Sequence, residues 1–319
     1  MESKKHFPIQ EYCSQLTELF QQSISQPDPA LFLHQKDARS PLFMAESLTR
    51  VLDEANDKKK IEKALKLFKK LEDALGKIEE NDTLIKHFAK NKAIEKDELV
   101  YFLKKRIRAI EKLNNKLLEK EFYQVDFNRV AHGLPVDFND KVLVQKLQKQ
   151  LKGELEECYK FYAEFSNGFT DMESQVHEIR RKLRWLSMYP RSLQGIIVLE
   201  KDRTKYKWER KFNPASEVNS PFNKVMVNKQ LTAHIQFNQK AFYALNFVVS
   251  ELGKIKDKGM ELEALKKAIR KTSGLSGKAA ETLALEQLGM KITGPGLLQQ
   301  AHELLKEFFE THEIHKLLV

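Results

Sequence analysis

The spacing of apolar residues predicts that this chain is built from amphipathic helices. Apolar side chains recur at steps of three and four residues, which is the period of one helix face. In the first half this period covers residues 9–25, 40–56, 58–75, 94–122 and 140–165. In the second half it covers residues 173–189, 229–252, 260–271, 278–288 and 295–318. We therefore predict an all-α fold.

Glycines that follow the last periodic residue predict several helix ends. Gly76, Gly253 and Gly289 are expected to stop the helices that precede them. Two of these ends read the same, because Leu75-Gly76-Lys77-Ile78 is repeated as Leu252-Gly253-Lys254-Ile255. The repeat predicts two related antiparallel helical bundles, residues 1–168 and 169–319, with the boundary after the cap-like Ser166-Asn167-Gly168.

Residues 193–228 depart from the helical pattern. The run from Gly195 to Glu200 is short, apolar and β-branched, and the run from Tyr206 to Phe212 alternates aromatic with charged residues. We predict that they pair as a hairpin around residues 201–203, and that the remainder, rich in Asn, Ser and Pro, is loop. The second bundle therefore carries a small hairpin-like insertion.

Composition and charge favour a folded helical protein with an anionic partner. The chain has 319 residues, of which 41% are hydrophobic and 31% charged, and its net charge of +10 is spread along the whole sequence. Nucleic acid, polyphosphate, an anionic membrane or an acidic protein would all feel such a field. No window approaches the ~20 apolar residues of a membrane span, and no apolar run follows the amino terminus, so we expect a cytoplasmic protein without a membrane partner.

The helix at residues 173–189 carries the strongest candidate site. Its apolar residues Val176, Ile179, Leu183 and Leu186 form one stripe. Roughly 130° around the helix lies a basic face, and Glu178, the one nearby acid, is expected to point elsewhere. Arginines so close repel one another, which favours an anion among them, whereas the alternative is an ordinary solvated helix face. The basic face consists of His177, Arg180, Arg181 and Arg184.

Two further basic stripes lie on predicted helices of the first bundle. Each stripe is opposite an apolar seam, so either could be the ordinary outside of a helix. The sequence does not decide whether the stripes converge with the basic face at residues 177–184. The first comprises Lys59, Lys63, Lys66 and Lys70, and the second comprises Lys105, Arg108, Lys112 and Lys116.

The sequence resembles the CHAD family, the histidine-containing α-helical domains, on two motifs. His177, Arg180 and Arg184 fit the family's His-x-x-Arg-x-x-x-Arg helix. Residues 252–257 fit its Leu-Gly-x-x-(Asn or Arg)-Asp turn except at Lys256. The first half has Glu80 where the family has Asp and shows no His-x-x-Arg helix; residues 46–50 lie nearest. The motif match covers about ten residues.

The resemblance implies non-catalytic binding of inorganic polyphosphate or a similar phosphorylated polyanion in a basic groove between helices. Phosphate contacts with cations release counterions, so affinity grows with the number of cations along the groove. Protonation of His177 would add a cation, although the neighbouring arginines should oppose it. We expect no cofactor or metal, and the oligomeric state is not predicted. The expected polyanion-binding residues are His177, Arg180, Arg181, Arg184, Lys105, Arg108, Lys112, Lys63, Lys66 and Lys70.

Other functions have weaker sequence support. The histidines of the last helix lack His-Glu-x-x-His spacing, Ser273–Lys278 lacks the first glycine of a phosphate-binding loop, and no catalytic grouping stands out. Cys13 and Cys158 belong to no metal or disulfide pattern. An RNA-binding protein and a helical interaction scaffold stay as alternatives. The first would use aromatic residues among cations to stack bases, namely Trp185, Tyr206, Trp208 and Phe212.

Overall fold

The structure, a computed structural model, describes residues 8–51, 58–119, 126–132, 141–229 and 231–319. Over these residues it contains 13 α-helices and two short β-strands, so the predicted all-α class is confirmed. None of the described helices has both the length and the apolar character that crossing a membrane requires. Both cysteines are buried and free.

Six helices form before residue 133 and seven after residue 140, within the described ranges. The first six are α1 (Pro8–Ile24), α2 (Pro29–Gln35), α3 (Arg39–Val51), α4 (Lys58–Phe88), α5 (Lys96–Leu118) and α6 (Phe127–His132). The others are α7 (Lys141–Ala163), α8 (Glu178–Ser192), α9 (Glu209–Phe212), α10 (Ala215–Val218), α11 (Gln239–Thr272), α12 (Gly277–Gln287) and α13 (Gly294–Lys306). The strands are β1 (Ile197–Glu200) and β2 (Ile235–Asn238).

The chain forms two compact units, each discontinuous in sequence. Unit 1 takes its residues from 1–136 and 263–290, and unit 2 from 137–262 and 291–319. These limits differ from the boundary predicted after Gly168, because α7 packs against α8 and therefore belongs to unit 2. The Tyr189 hydroxyl of α8 donates a hydrogen bond to Glu154 of α7, 2.6 Å away.

Unit 1 buries its core between α1, α3, α4, α5 and α6. Phe127 of α6 lies at its centre, with Phe20 edge-on at 4.9 Å and Phe68 stacked at 6.2 Å between ring centroids. The helical period of residues 94–122 predicts that Leu103 and Ile107 of α5 face this core, which is wrong, since they are 44% and 51% exposed. Leu103 is one residue past the buried Phe102, and one residue turns an α-helix by about 100°.

Unit 2 buries the apolar stripe of α8 completely. Val176, Ile179, Leu183 and Leu186 each have 0% exposure, which confirms the predicted stripe. The first of them lies in a π-helical segment, Met172–His177, that leads directly into α8.

Gly76 and Gly253 do not end helices, contrary to the prediction. Helix α4 runs from Lys58 to Phe88 and α11 from Gln239 to Thr272, so each passes through its glycine without a break. The apolar stripe continues on both sides, since Leu75 and Ile78 are both buried. Burial of that stripe outweighs the roughly 1 kcal/mol that a mid-helix glycine costs. Gly289, with φ of +62°, does follow a helix end as predicted.

The predicted hairpin in residues 193–228 is wrong in its second strand. Strand β1 pairs in parallel with β2, where Ile197 lies opposite Ile235, and not with residues 206–212. Those residues include α9 instead, and Trp208 and Phe212 are both buried. Their spacing of four residues places them on one helix face, a pattern that alternation of aromatic and polar residues had concealed.

Candidate anion-binding site

The candidate site lies on α8 where this helix packs along α11 within unit 2. The helical stretch starts after Asp171, whose carboxylate accepts hydrogen bonds from the Ser174 backbone N–H and hydroxyl, both at 2.6 Å. Helices α8 and α11 run antiparallel, since Ser187 bonds to Asn246 while the earlier Met172 lies against the later Gly259. This pairing fixes the side of α8 that carries the basic residues.

Arg180 is the innermost cation of the site. Its guanidinium lies on the backbone of Gly253, so closely that a Cβ atom there would be 3.0 Å from Nε and from Nη2. Nε donates a hydrogen bond to the carbonyl oxygen of Val249 at 3.1 Å. Burial lowers the pKa of Arg180, and Asp257 opposes that effect. Gly253 therefore supplies the space that lets a guanidinium pack flat on the facing helix.

Two of the other cations are paired with carboxylates. Arg181 forms an ion pair with Glu178 at 2.8 Å, so the expectation that Glu178 points elsewhere is wrong. Lys256 of α11 pairs with Asp257 at 2.8 Å. Lys256 was not among the expected site residues, although the sequence motif contained it as the one mismatch. Within the described part of the chain, four cations surround His177, namely Arg180, Arg181, Arg184 and Lys256; Glu178 pairs with Arg181, and Asp257 pairs with Lys256.

His177 lies next to these cations, and its pKa is lowered by burial and by their charges. Burial and the charges of Lys256, Arg180, Arg184 and Arg181 lower its pKa from 6.5 to about 4. The imidazole is therefore neutral at physiological pH, in line with the expected opposition from the arginines. Its Nδ1 atom is buried, and no residue in the described part of the chain forms a hydrogen bond with it.

The two basic stripes belong to unit 1, whereas the α8 cluster belongs to unit 2. Lys63, Lys66 and Lys70 are exposed on α4, as are Arg108 and Lys112 on α5. Lys105 differs from them because it is half-buried, with its ammonium 5.7 Å from the centre of the Tyr101 ring. Burial lowers the pKa of Lys105, Glu80 raises it, and Lys267 and Lys77 lower it further.

Unit 1 contains a counterpart of Arg180 that the sequence did not reveal. Arg39, the first residue of α3, places its guanidinium on Gly76 of α4, 3.1 to 3.4 Å from where a Cβ atom would lie. Its Nε donates to Glu72 at 2.8 Å, its Nη2 lies 2.7 Å from the same carboxylate oxygen, and its Nη1 donates to Glu79. Residues 46–50 had been named instead. The repeated glycine can be recognised in the sequence. The insertion at residues 193–228 separates Arg180 from Gly253, so the sequence does not reveal that Arg39 and Gly76 form an equivalent pair.

The aromatic residues of the RNA-binding alternative have packing roles. Trp185, Trp208 and Phe212 are at most 5% exposed. Tyr206 stacks on Trp208 at 4.9 Å between ring centroids, and its hydroxyl donates to Asp202 at 2.7 Å. Among the residues that the structure describes, no group of histidine, cysteine and acidic side chains could hold a metal ion.

Comparison with protein-family models, curated proteins and solved structures finds no match to this chain. The similarity to the CHAD family therefore rests on the motif residues alone. Any functional conclusion depends on the geometry of α8 and α11.

Proposed function

We propose that this protein binds inorganic polyphosphate or a similar phosphorylated polyanion on the basic face of α8, without catalysing a reaction. The observation that carries the proposal is the excess of cations around His177. Burial, and then the charges of these cations, lower the pKa of this histidine to about 4. The cations' part of this shift corresponds to a positive potential, and a positive potential favours the binding of an anion.

The arginines suit phosphate oxygens better than isolated charges would. The Nε atom of Arg180 is used by the Val249 carbonyl, so its guanidinium is held in one orientation. A planar guanidinium that is already oriented loses little rotamer freedom when it binds phosphate through two N–H groups. Arg184 and Lys256 add charge beside it, and the neutral His177 ring offers one nitrogen as donor and one as acceptor.

A long polyanion gains from additional cations that need not be specific. The exposed cations of unit 1 (Lys63, Lys66, Lys70, Arg108 and Lys112) and the half-buried Lys105 are proposed to contribute weaker phosphate contacts. The proposal includes a cytoplasmic location and no membrane partner. RNA binding and a scaffold role are outcomes of the test, since burial of the tryptophans does not favour base stacking.

The experiment compares long-chain polyphosphate with single-stranded RNA of matched charge, each titrated at two salt concentrations. The test variant is Arg181→Ala/Arg184→Ala. The matched control is Arg203→Ala/Arg210→Ala, which removes two exposed arginines of unit 2 outside the cluster. We expect the wild type to bind polyphosphate more tightly than RNA. The test variant should lose at least about tenfold in affinity for polyphosphate, and its binding should release about two fewer counterions, as read from the slope of log affinity against log salt. The control should bind like the wild type.

A second arm tests the opposite direction. Glu178→Gln releases Arg181 from its carboxylate and should tighten polyphosphate binding several-fold. The control is Glu157→Gln, which removes the acid from a similarly spaced pair with Lys160 on α7. Equal weak binding of both polyanions, unchanged in every variant, would contradict the proposal and indicate a scaffold. Preferential binding of RNA would support the nucleic-acid alternative.

A further inference from the structure

Both units contain the same unusual contact between an arginine and a glycine. The Arg39 guanidinium packs on Gly76 in unit 1, and the Arg180 guanidinium packs on Gly253 in unit 2. In both units the contact joins antiparallel helices, α3 with α4 and α8 with α11. Each glycine lies in a Leu-Gly-Lys-Ile sequence. The position of a residue relative to its glycine therefore identifies its equivalent in the other unit.

The two arginines have different partners at equivalent positions. Four residues before the glycine, unit 1 has Glu72, which accepts from Nε of Arg39, whereas unit 2 has Val249, whose carbonyl accepts from Nε of Arg180. Three residues after the glycine, unit 1 has Glu79, which binds Nη1 of Arg39. The equivalent residue in unit 2 is a cation, Lys256. Two acids in one unit thus correspond to an apolar residue and a base in the other.

Because these two positions differ, the net charge around the arginine is negative in unit 1 and positive in unit 2. In unit 1, Arg39 faces two carboxylates, and Glu72 has only 11% of its side chain exposed. In unit 2, Asp257 acts on Arg180 electrostatically and pairs with Lys256, and no other carboxylate among the described residues is found to act on Arg180. A phosphate group that approached Arg39 would have to displace an internal carboxylate, and the displaced carboxylate would then repel it.

We propose that unit 1 contains a phosphate site of the same design as α8, which its own Glu72 and Glu79 occupy. The side chains four residues before and three residues after the glycine then decide whether such a site binds an external phosphate group. This inference rests on the proposed function of α8. The carboxylates of Glu72 and Glu79 stand where phosphate oxygens would bind, because both anions take the same N–H donors of a guanidinium.

The test exchanges these two positions and counts binding sites by calorimetry, with tripolyphosphate as the probe. The opened variant is Glu72→Val/Glu79→Lys, and the closed variant is Val249→Glu/Lys256→Glu. We expect one site in the wild type, two in the opened variant and none in the closed variant. The control, Glu18→Val/Glu286→Lys, makes the same charge change at two exposed glutamates of unit 1 and should keep one site.

The outcomes separate this inference from the function it rests on. A wild type without any site would contradict the proposed function, and one site in the opened variant would then still support the inference. A wild type and an opened variant with the same number of sites would overturn the inference. A gain in the control, or an unchanged site in the closed variant, would also overturn it. If loss of the Glu72 pair unfolds unit 1, Glu79→Lys alone provides the test, since Glu79 is 49% exposed.

Discussion

Arg39 and Arg180 occupy the same backbone arrangement but have different surroundings. In both units a glycine lets a guanidinium lie flat on a neighbouring helix. Around Arg39 the charge is satisfied within the protein by Glu72 and Glu79, so the contact holds α3 on α4. Around Arg180 one hydrogen bond to the Val249 carbonyl fixes the orientation, and the carboxylate that acts on it, Asp257, pairs with Lys256. The carboxylates around each arginine therefore distinguish the two contacts.

The largest expected difference between the units concerns stability. Arg39→Leu leaves the largely buried Glu72 without its cation and should lower the free energy of unfolding by about 3 kcal/mol. Arg180→Leu removes a single hydrogen bond and relieves like-charge repulsion, so its cost should be about 1 kcal/mol. Urea titrations followed by circular dichroism, and by the fluorescence of Trp185 and Trp208 in unit 2, measure both variants. Equal losses would mean that the carboxylates contribute nothing.

A smaller effect is expected from Glu46 in unit 1. Burial and then Glu72 raise the pKa of Glu46 from 4.5 to about 7, while Lys69 and Arg50 oppose the shift. The folded protein therefore binds this proton more tightly than the unfolded chain, and the resulting stability is lost as pH rises from 4.5 through 7. Glu46→Gln should stabilise the protein by about 2 kcal/mol near pH 8, relative to its effect near pH 4. Urea midpoints across pH measure this, and a parallel shift at every pH would contradict it.

The smallest effect, with the opposite sign, is expected from His177 in unit 2. Because its pKa is lowered from 6.5 to about 4, the stability it contributes is present above pH 6.5 and is lost as pH falls towards 4. His177→Asn should remove about 1 kcal/mol of that loss near pH 5, allowing for partial exposure of the ring. Because Glu46 titrates over an overlapping range, the comparison is also made in a Glu46→Gln background, where His177→Asn should have the same effect. An unaltered acid limb in His177→Asn would show that burial and the neighbouring cations do not lower the pKa of the imidazole.

The helices were largely predictable from sequence because burial of an apolar stripe dominates their energetics. The stripe of Val176, Ile179, Leu183 and Leu186 is buried as predicted. Gly76 and Gly253 were misread as helix ends because a glycine signals both a C-cap and a close approach of another group, and only the facing helix distinguishes the two. The partner of β1 was missed for a similar reason, since parallel pairing joins residues far apart in sequence.

The candidate site was predictable where one helix sets its geometry and unpredictable where a second helix contributes. The common face of His177, Arg180 and Arg184 follows from helical periodicity. Lys256 reaches the cluster from α11, and Arg39 reaches Gly76 from α3, so neither placement could be read from local spacing. The ion pair between Glu178 and Arg181 joins residues three positions apart on one helix, and this spacing is sufficient to predict it.

The π-helical segment Met172–His177 lets Met172 and Arg180 each contact a glycine of α11. From Met172 to Arg180 the chain advances eight residues, about 12 Å of α-helix, yet the glycines that they contact, Gly259 and Gly253, are six residues apart, about 9 Å. A π-helical turn holds more residues for the same advance, so it takes up the surplus. Deleting one residue between Met172 and His177 would therefore regularise the helix. It would also move Met172 off Gly259 while Arg180 stayed in place.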